Sequence, residues 1–293
     1  MNPVRERIKY VTAVVLYGTI GYFLRFVSLP SEIVVFCRGF IGCLFLLAVK
    51  AVKKERTDRE ALRKELPWLI LSGILLGLNW IFLFRAYVLT TVAVASLCNY
   101  MAPVLVILAA PALLHEPLDR RKLPLMALAL AGIVLISGIL GGEKASLPGV
   151  IMGLLAALCF TGIVLCNRKM GPVPLYDKAF VQLAVSAATV LPYLLARNIG
   201  QELTLDFRSA AIILLLGIVH TGAAYCFYFD GISSLPVETV GLLGYLEPVV
   251  SVLCSVLLLR ESLSPAGWIG AVLILTAAAL SELLPGERKN TNG

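Results

Sequence analysis

Apolar runs about twenty residues long follow one another down the chain, at 10–29, 32–52, 67–88, 91–114, 123–140, 147–166, 175–195, 208–229, 237–259 and 265–284, with short polar punctuation between them. A helix needs about 20 mostly apolar residues to cross the hydrocarbon core. The pattern therefore predicts an all-α integral membrane protein with about ten transmembrane helices. The longest break, 53–65, is densely charged and reads as a solvated, partly helical connection. Small residues inside the runs mark close helix contacts: Gly18 and Gly21 in the first, and Gly73 with Gly77, a GxxxG spacing, in the third. Two mid-run prolines, Pro103 and Pro248, each remove a helical hydrogen bond. They are expected to kink the fourth and ninth helices and free a carbonyl for a neighbour, a water or a ligand.

The runs are not independent. Residues 239–263 align without a gap under 94–118 with nine identities in twenty-five positions, among them Tyr100 with Tyr245, Pro103 with Pro248 and Glu116 with Glu261. Leucines match cheaply in such a composition, but a tyrosine, a proline and a glutamate in register do not, so the chain reads as two copies of one unit. The same offset of 145 pairs Gly77, Trp80, Phe82 and Phe84 with Gly222, Tyr225, Phe227 and Phe229, and an offset of 144 pairs Pro30, Phe36 and Arg38 with Pro174, Phe180 and Gln182. Two five-helix repeats are expected, 1–142 and 143–293. Because five is odd, the second copy must enter the membrane in the opposite sense. Inverted repeats of this kind let one half rock against the other around a midplane site.

Composition agrees with the pattern. The 293 residues are 59% hydrophobic and 15% charged, with mean hydropathy +0.90, against the roughly 25% charged expected of a soluble domain. That leaves no room for a soluble catalytic domain. The net charge of +7 does not indicate a nucleic-acid partner, because the charges sit in the connections. Eighteen of the 25 lysines and arginines fall on one side of the predicted spans and four on the other, which places both termini in the cytoplasm of a cell-membrane protein. The first run lacks a small-residue cleavage site, so no removable signal is expected. All seven cysteines lie in apolar runs without CxxC spacing and read as small buried hydrophobes. No disulfide, metal or cofactor is expected.

The candidate chemistry is the polar minority inside the runs. Glu247 lies about eleven residues into the ninth run, where a carboxylate is costly unless it is paired, protonated or facing water. It is either a substrate ligand or proton carrier, or a structural ion-pair member. Arg38 is either a substrate clamp or a tie between helices. His220 is either a proton relay or a neutral ring bonded to a carbonyl. Tyr17, Trp80, Tyr100, Tyr225, Tyr228 and Tyr245 lie away from the run ends, where a hydroxyl or indole needs a partner. Asn79 and Asn99 share that zone as cavity lining or as helix glue. Arg25 and Arg85 are close enough to run ends to snorkel, and Glu116 and Glu261 read as caps at run ends.

With these residues in view, the chain resembles the drug/metabolite transporter superfamily, in its EamA-like branch of ten-helix carriers built from two five-helix repeats. The resemblance covers nearly the whole chain. It rests on Pro103-Val-Leu…Glu116-Pro-Leu, on Glu247-Pro248-Val-Val…Arg260-Glu261-Ser-Leu, on Arg38, and on the glycine-rich fifth and tenth runs. It implies a central cavity lined by spans one, three, four, six, eight and nine, and a rocking alternation. The sixth run, however, is expected to lack the aromatic that often matches the one in the first. The implied function is secondary transport of a small metabolite; the resemblance does not fix the substrate, but the Glu247 carboxylate with Arg38 nearby points to export of amino acids or similar zwitterions, with organic cations or amines as the alternative. The expected partners are a small-molecule substrate and the lipid bilayer, and the expected state is a monomer or weak homodimer. A primary pump is disfavoured because the chain has no GxxxxGK[ST] loop. An intramembrane enzyme is disfavoured because no HExxH, GxSG or paired acidic motif lies in a span.

Overall fold

The computed structural model describes residues 3–54, 57–114, 123–136, 146–196, 206–235, 243–244 and 246–283, and these are helical apart from short turns. The first repeat is α1 (Pro3–Leu24), α2 (Ser31–Lys53), α3 (Arg59–Leu89), the pair α4 (Val92–Asn99) and α5 (Ala102–Leu114), and α6 (Leu123–Ile136). The second is α7 (Leu147–Lys169), α8 (Leu175–Ala196), α9 (Phe207–Gly217) running through a π turn at Ile218–Ala223 into α10 (Ala224–Ser234), α11 (Leu246–Leu253) with a π turn at Cys254–Leu258, and α12 (Pro265–Leu283). Counting α4–α5 and α9–α10 as one leg each gives ten legs among the described residues. Five stretches, Ser31–Lys53, Arg59–Leu89, Val92–Ala109, Leu147–Lys169 and Phe207–Asp230, are long and apolar enough to cross a membrane, and Leu123–Ile136, Leu246–Leu258 and Pro265–Ala277 are shorter apolar helices.

Local signals explain where legs start and break. Asp58, Thr91, Ser146 and Asp206 each accept a backbone N–H of the first turn that follows, satisfying donors that a helix start leaves free. Asp206, outside the spans, accepts from Ser209 and Ser28, and these bonds hold its carboxyl below the usual range. The third helix starts at Arg59, well before its apolar run, so much of the charged connection is helical. The fourth leg is broken rather than smoothly bent. The helix stops at Asn99 and restarts at Ala102, with Pro103 second in the new helix, where its missing N–H costs nothing. Pro248 is likewise third in α11.

Contacts at the two ends establish the inversion. Lys9 near the start of α1 bonds Asp230 in α10, and Lys53 at the end of α2 bonds Tyr176 at the start of α8. At the other end, Arg25 just beyond α1 bonds the carbonyl of Thr90 after α3, and Gly149 at the start of α7 packs on Thr90. The first leg and its repeat mate, the sixth, therefore start at opposite ends. The packing obeys the same exchange. α1 lies on α10 and α11 as α7 lies on α3 and on α4–α5, while α2 with α8, and α6 with α12, are self-matched pairs. A Cβ on Gly73 would sit 2.6 Å from Val185, and one on Gly217 would sit 2.6 Å from Ile41, the same contact repeated at an offset of 144. Two groups of legs result: first, second, eighth and ninth against third, fourth, sixth and seventh.

Candidate functional site

Between the two groups lies a cavity of about 290 Å³, near the lower end of the roughly 300–1,000 Å³ typical of small-molecule sites. Both groups supply its wall. Tyr17, Arg38, Tyr225, Tyr228, Phe229 and Glu247 face Asn79, Trp80, Phe84, Asn99, Phe160, Asn167 and Gln182 across it.

Arg38 is 3% exposed and fixed from two sides. Its Nε donates to Thr221 Oγ1 at 2.6 Å, and its guanidinium stacks over Trp80 at 4.2 Å and Phe84 at 5.8 Å from the ring centroids. The π turn makes this possible. Thr221 Oγ1 donates to the carbonyl of Leu216, five residues back, at 2.8 Å, which leaves the oxygen free to accept from Arg38. Burial of a guanidinium is tolerated because its charge meets ring faces and a hydroxyl.

Glu247 is the second residue of α11. Gly18 brings the first leg against it, since a Cβ there would lie 2.6 Å from the Glu247 carbonyl. No cation pairs with its carboxylate among the described residues. Its neighbour is the Tyr100 hydroxyl, which donates to the Gly244 carbonyl at 2.8 Å and stands 3.4 Å from Glu247 Oε2. Tyr17 packs edge-on against Tyr225 and Tyr228, with centroids 6.1 and 5.9 Å apart. Its hydroxyl is buried with no hydrogen-bond partner among the described residues, a deficit of about 1–3 kcal/mol.

On the opposite wall, Asn79 Nδ2 donates to Asn99 Oδ1 at 3.1 Å and to the Ala156 carbonyl at 2.8 Å, tying the third, fourth and sixth legs. Gln182 Nε2 donates to Ser72 Oγ at 2.8 Å and Asn167 Oδ1 at 3.0 Å. Beyond Glu247, Ser96 and Ser251 share a 2.5 Å hydrogen bond between the fourth and ninth legs, with the Tyr87 hydroxyl 3.2 Å from Ser96.

Of the nine residues read from the sequence as substrate ligands, Tyr17, Arg38, Asn79, Trp80, Asn99, Tyr225 and Glu247 share this cavity. Tyr100 lines a small recess beside it, and Tyr245 lies outside the described residues. His220 stands behind the wall, its Nε2 3.0 Å from Thr19 Oγ1 and its ring edge-on to Phe23. Arg25 pairs with Glu261 and does not reach the cavity. Glu261 also accepts from the Val92 N–H at 2.8 Å, so it does cap a helix, the start of α4 rather than the helix after it. Its repeat mate Glu116 lies outside the described residues. The sixth run was expected to lack an aromatic, but Phe160 supplies it, and Gln182, Asn167 and Phe229 join the wall unforeseen. Gln182 carried a signal all the same: it is the repeat mate of Arg38.

The chain is similar to an uncharacterized transporter YxxF of Bacillus subtilis (strain 168), 28% identical over 281 residues, covering 94% of this chain and 88% of that one. It is 29% identical over 230 residues to the aromatic amino acid exporter YddG of Ancylobacter novellus, covering 77% and 79% of the two chains. It is 32% identical over 174 residues to a probable amino-acid metabolite efflux pump of Salmonella typhimurium, covering 55% and 57%. A solved crystal structure at 23% identity shares the fold, with TM-score 0.66 over 95% of this chain and 98% of that one. The EamA-like transporter family matches residues 8–138 and again 147–283. With one match on each repeat, this chain belongs to the EamA-like transporter family.

Proposed function

We propose that this transporter exports an amino acid or similar zwitterion across the cell membrane, with both termini in the cytoplasm, by alternating access around the central cavity. The observation that carries this reading is the cavity's pair of opposite charges: Glu247 and Arg38 line one space without an ion pair between them. An amine at Glu247 and a carboxylate at Arg38 would satisfy both, and the Tyr17 hydroxyl, without a partner among the described residues, supplies a further donor to the carboxylate. The aromatic walls accept the side chain. Two relatives with amino-acid exporter or efflux names support the same substrate class. Glu247 is also the group placed to carry a proton in exchange for substrate.

An organic cation is the second reading. It is favoured by the bonds that already engage Arg38, to Thr221 and over Trp80, which leave Glu247 as the charge without a partner. Reconstituted protein tested for uptake and for counterflow of a metabolite panel separates these cases. Glu247→Gln should abolish proton-driven uptake and spare counterflow if the residue couples protons, and should weaken both if it binds the amine. Unchanged uptake and counterflow would remove Glu247 from the mechanism.

A further inference from the structure

We propose that the groove between the end of α2 and the start of α8 seats the head of an anionic phospholipid, whose acyl chain lies along α2. The inference requires only that the chain sit in a bilayer and is independent of the transport substrate. The groove encloses about 440 Å³. Its polar wall is Lys50, Lys54, Thr57 and Asp177, and its apolar wall includes Leu47, Ala51 and Phe180.

Among the described residues the charges do not cancel. Asp177 is 3% exposed and is taken up by Lys50 and by the Asp58 N–H at 3.2 Å. Lys50 also donates to Thr57 Oγ1 at 2.8 Å. Among the described residues Lys54 has no ion pair, so one positive charge is left over on the groove wall. The backbone marks the same residue. Lys54 ends α2 with φ 53° and ψ 31°, a left-handed setting that glycine adopts far more readily than lysine. A lysine ammonium and a hydroxyl suit a phosphate.

The apolar side of the groove continues down the helix. Phe40, Leu44 and Leu47 are 51%, 51% and 44% exposed. Their spacing of four and three residues places them on one face, and that face leads to the groove. A soluble anion would use only the lysine. An amphiphile with a phosphate head and a hydrocarbon chain uses both parts, and basic pockets between membrane helices bind such heads.

The full chain, purified in neutral detergent, is to be compared with phosphatidylglycerol, phosphatidylcholine and glycerol 3-phosphate, reading lipid retention by native mass spectrometry and protection against heating. Phosphatidylglycerol should be retained about fivefold over phosphatidylcholine, the effect of one lysine at a membrane surface. Glycerol 3-phosphate should give no protection. Lys54→Gly removes the ammonium while easing the backbone, so that variant should fold and lose the preference. Equal retention of the two lipids, an undiminished preference in Lys54→Gly, or equal protection by glycerol 3-phosphate would each overturn the assignment, the last by making this a site for soluble anions.

Discussion

Arg38 does in one residue what separates the two substrate readings. A lysine there would keep the charge but lose the planar face over Trp80 and the Nε donor to Thr221, and arginine and lysine are not interchangeable at stacked sites. If Arg38 holds a substrate carboxylate, Arg38→Lys should raise the KM for counterflow about tenfold or more, from about 1.5–2 kcal/mol of lost desolvated cation–π and hydrogen-bond energy. An unchanged KM with zwitterions, or transport of cations alone, would leave Arg38 as a tie between helices. Arg38, Glu247 and Trp80 were legible in the sequence because charges and indoles at membrane depth are rare and costly. Gln182, Asn167 and Ser251 were not, because uncharged polar residues in spans usually serve as helix glue. Only the pairing of Gln182 with Arg38 across the repeat distinguished it.

At the level of single legs, the ten apolar runs foretold ten helical legs, since length and hydropathy are local properties of the sequence. The breaks were harder to foresee. Pro103 pointed to the right leg, but the helix parts at Tyr100–Met101, before the proline, because proline suits the first turn of a new helix. The π turn at Ile218–Ala223 is marked in the sequence only by the shift of the repeat offset from 144 to 145 between Gly217 and Gly222. The crossing of α6 and α12 brings backbone against backbone and gives a clear test. A Cβ on Gly270 would meet the Gly132 carbonyl at 2.5 Å and the Ile136 nitrogen at 2.9 Å, whereas one on Gly267 would meet only side-chain atoms, the nearest at 3.3 Å. Gly270→Ala should therefore lower stability by about 1–3 kcal/mol through overpacking against backbone, and Gly267→Ala should cost less. The temperature at which half the protein leaves the monodisperse peak in detergent measures both. Equal losses would mean that the two legs can separate freely.

Across the whole molecule, the groups meet along a seam at the end away from the termini. There Glu261 in the second repeat pairs with Arg25, accepts from the Val92 N–H at 2.8 Å and from Ser255 Oγ at 2.5 Å. Farther in, Ser96 meets Ser251. Under the proposed alternation this end must open. Glu261→Ala removes the acceptor shared by both groups, so a cysteine introduced at Ser96 in a cysteine-free background should be labelled by a maleimide several-fold faster than with Glu261 present. An unchanged rate would show that the seam is held by packing rather than by this carboxylate. The repeat itself was legible because Tyr100, Pro103 and Glu116 recur in register, but the division of legs into two groups, each mixing both repeats, is a tertiary outcome that no local pattern encodes.

The third and eighth legs also differ by a single inserted residue. Gly73 and Gly77 are four apart, and their mates Gly217 and Gly222 are five apart, the extra position being taken up by the π turn at Ile218–Ala223. In a surface loop such an insertion would be silent. Inside a plain α-helix it would turn everything downstream by about 100°; the wider π turn absorbs it, so Tyr225 and Phe229 still line the cavity as Trp80 and Phe84 do. A duplication that began as two interchangeable copies has thereby lost its interchangeability: recombination between the halves, or an engineered swap of the third leg for the eighth, would discard the turn that presents Thr221 to Arg38.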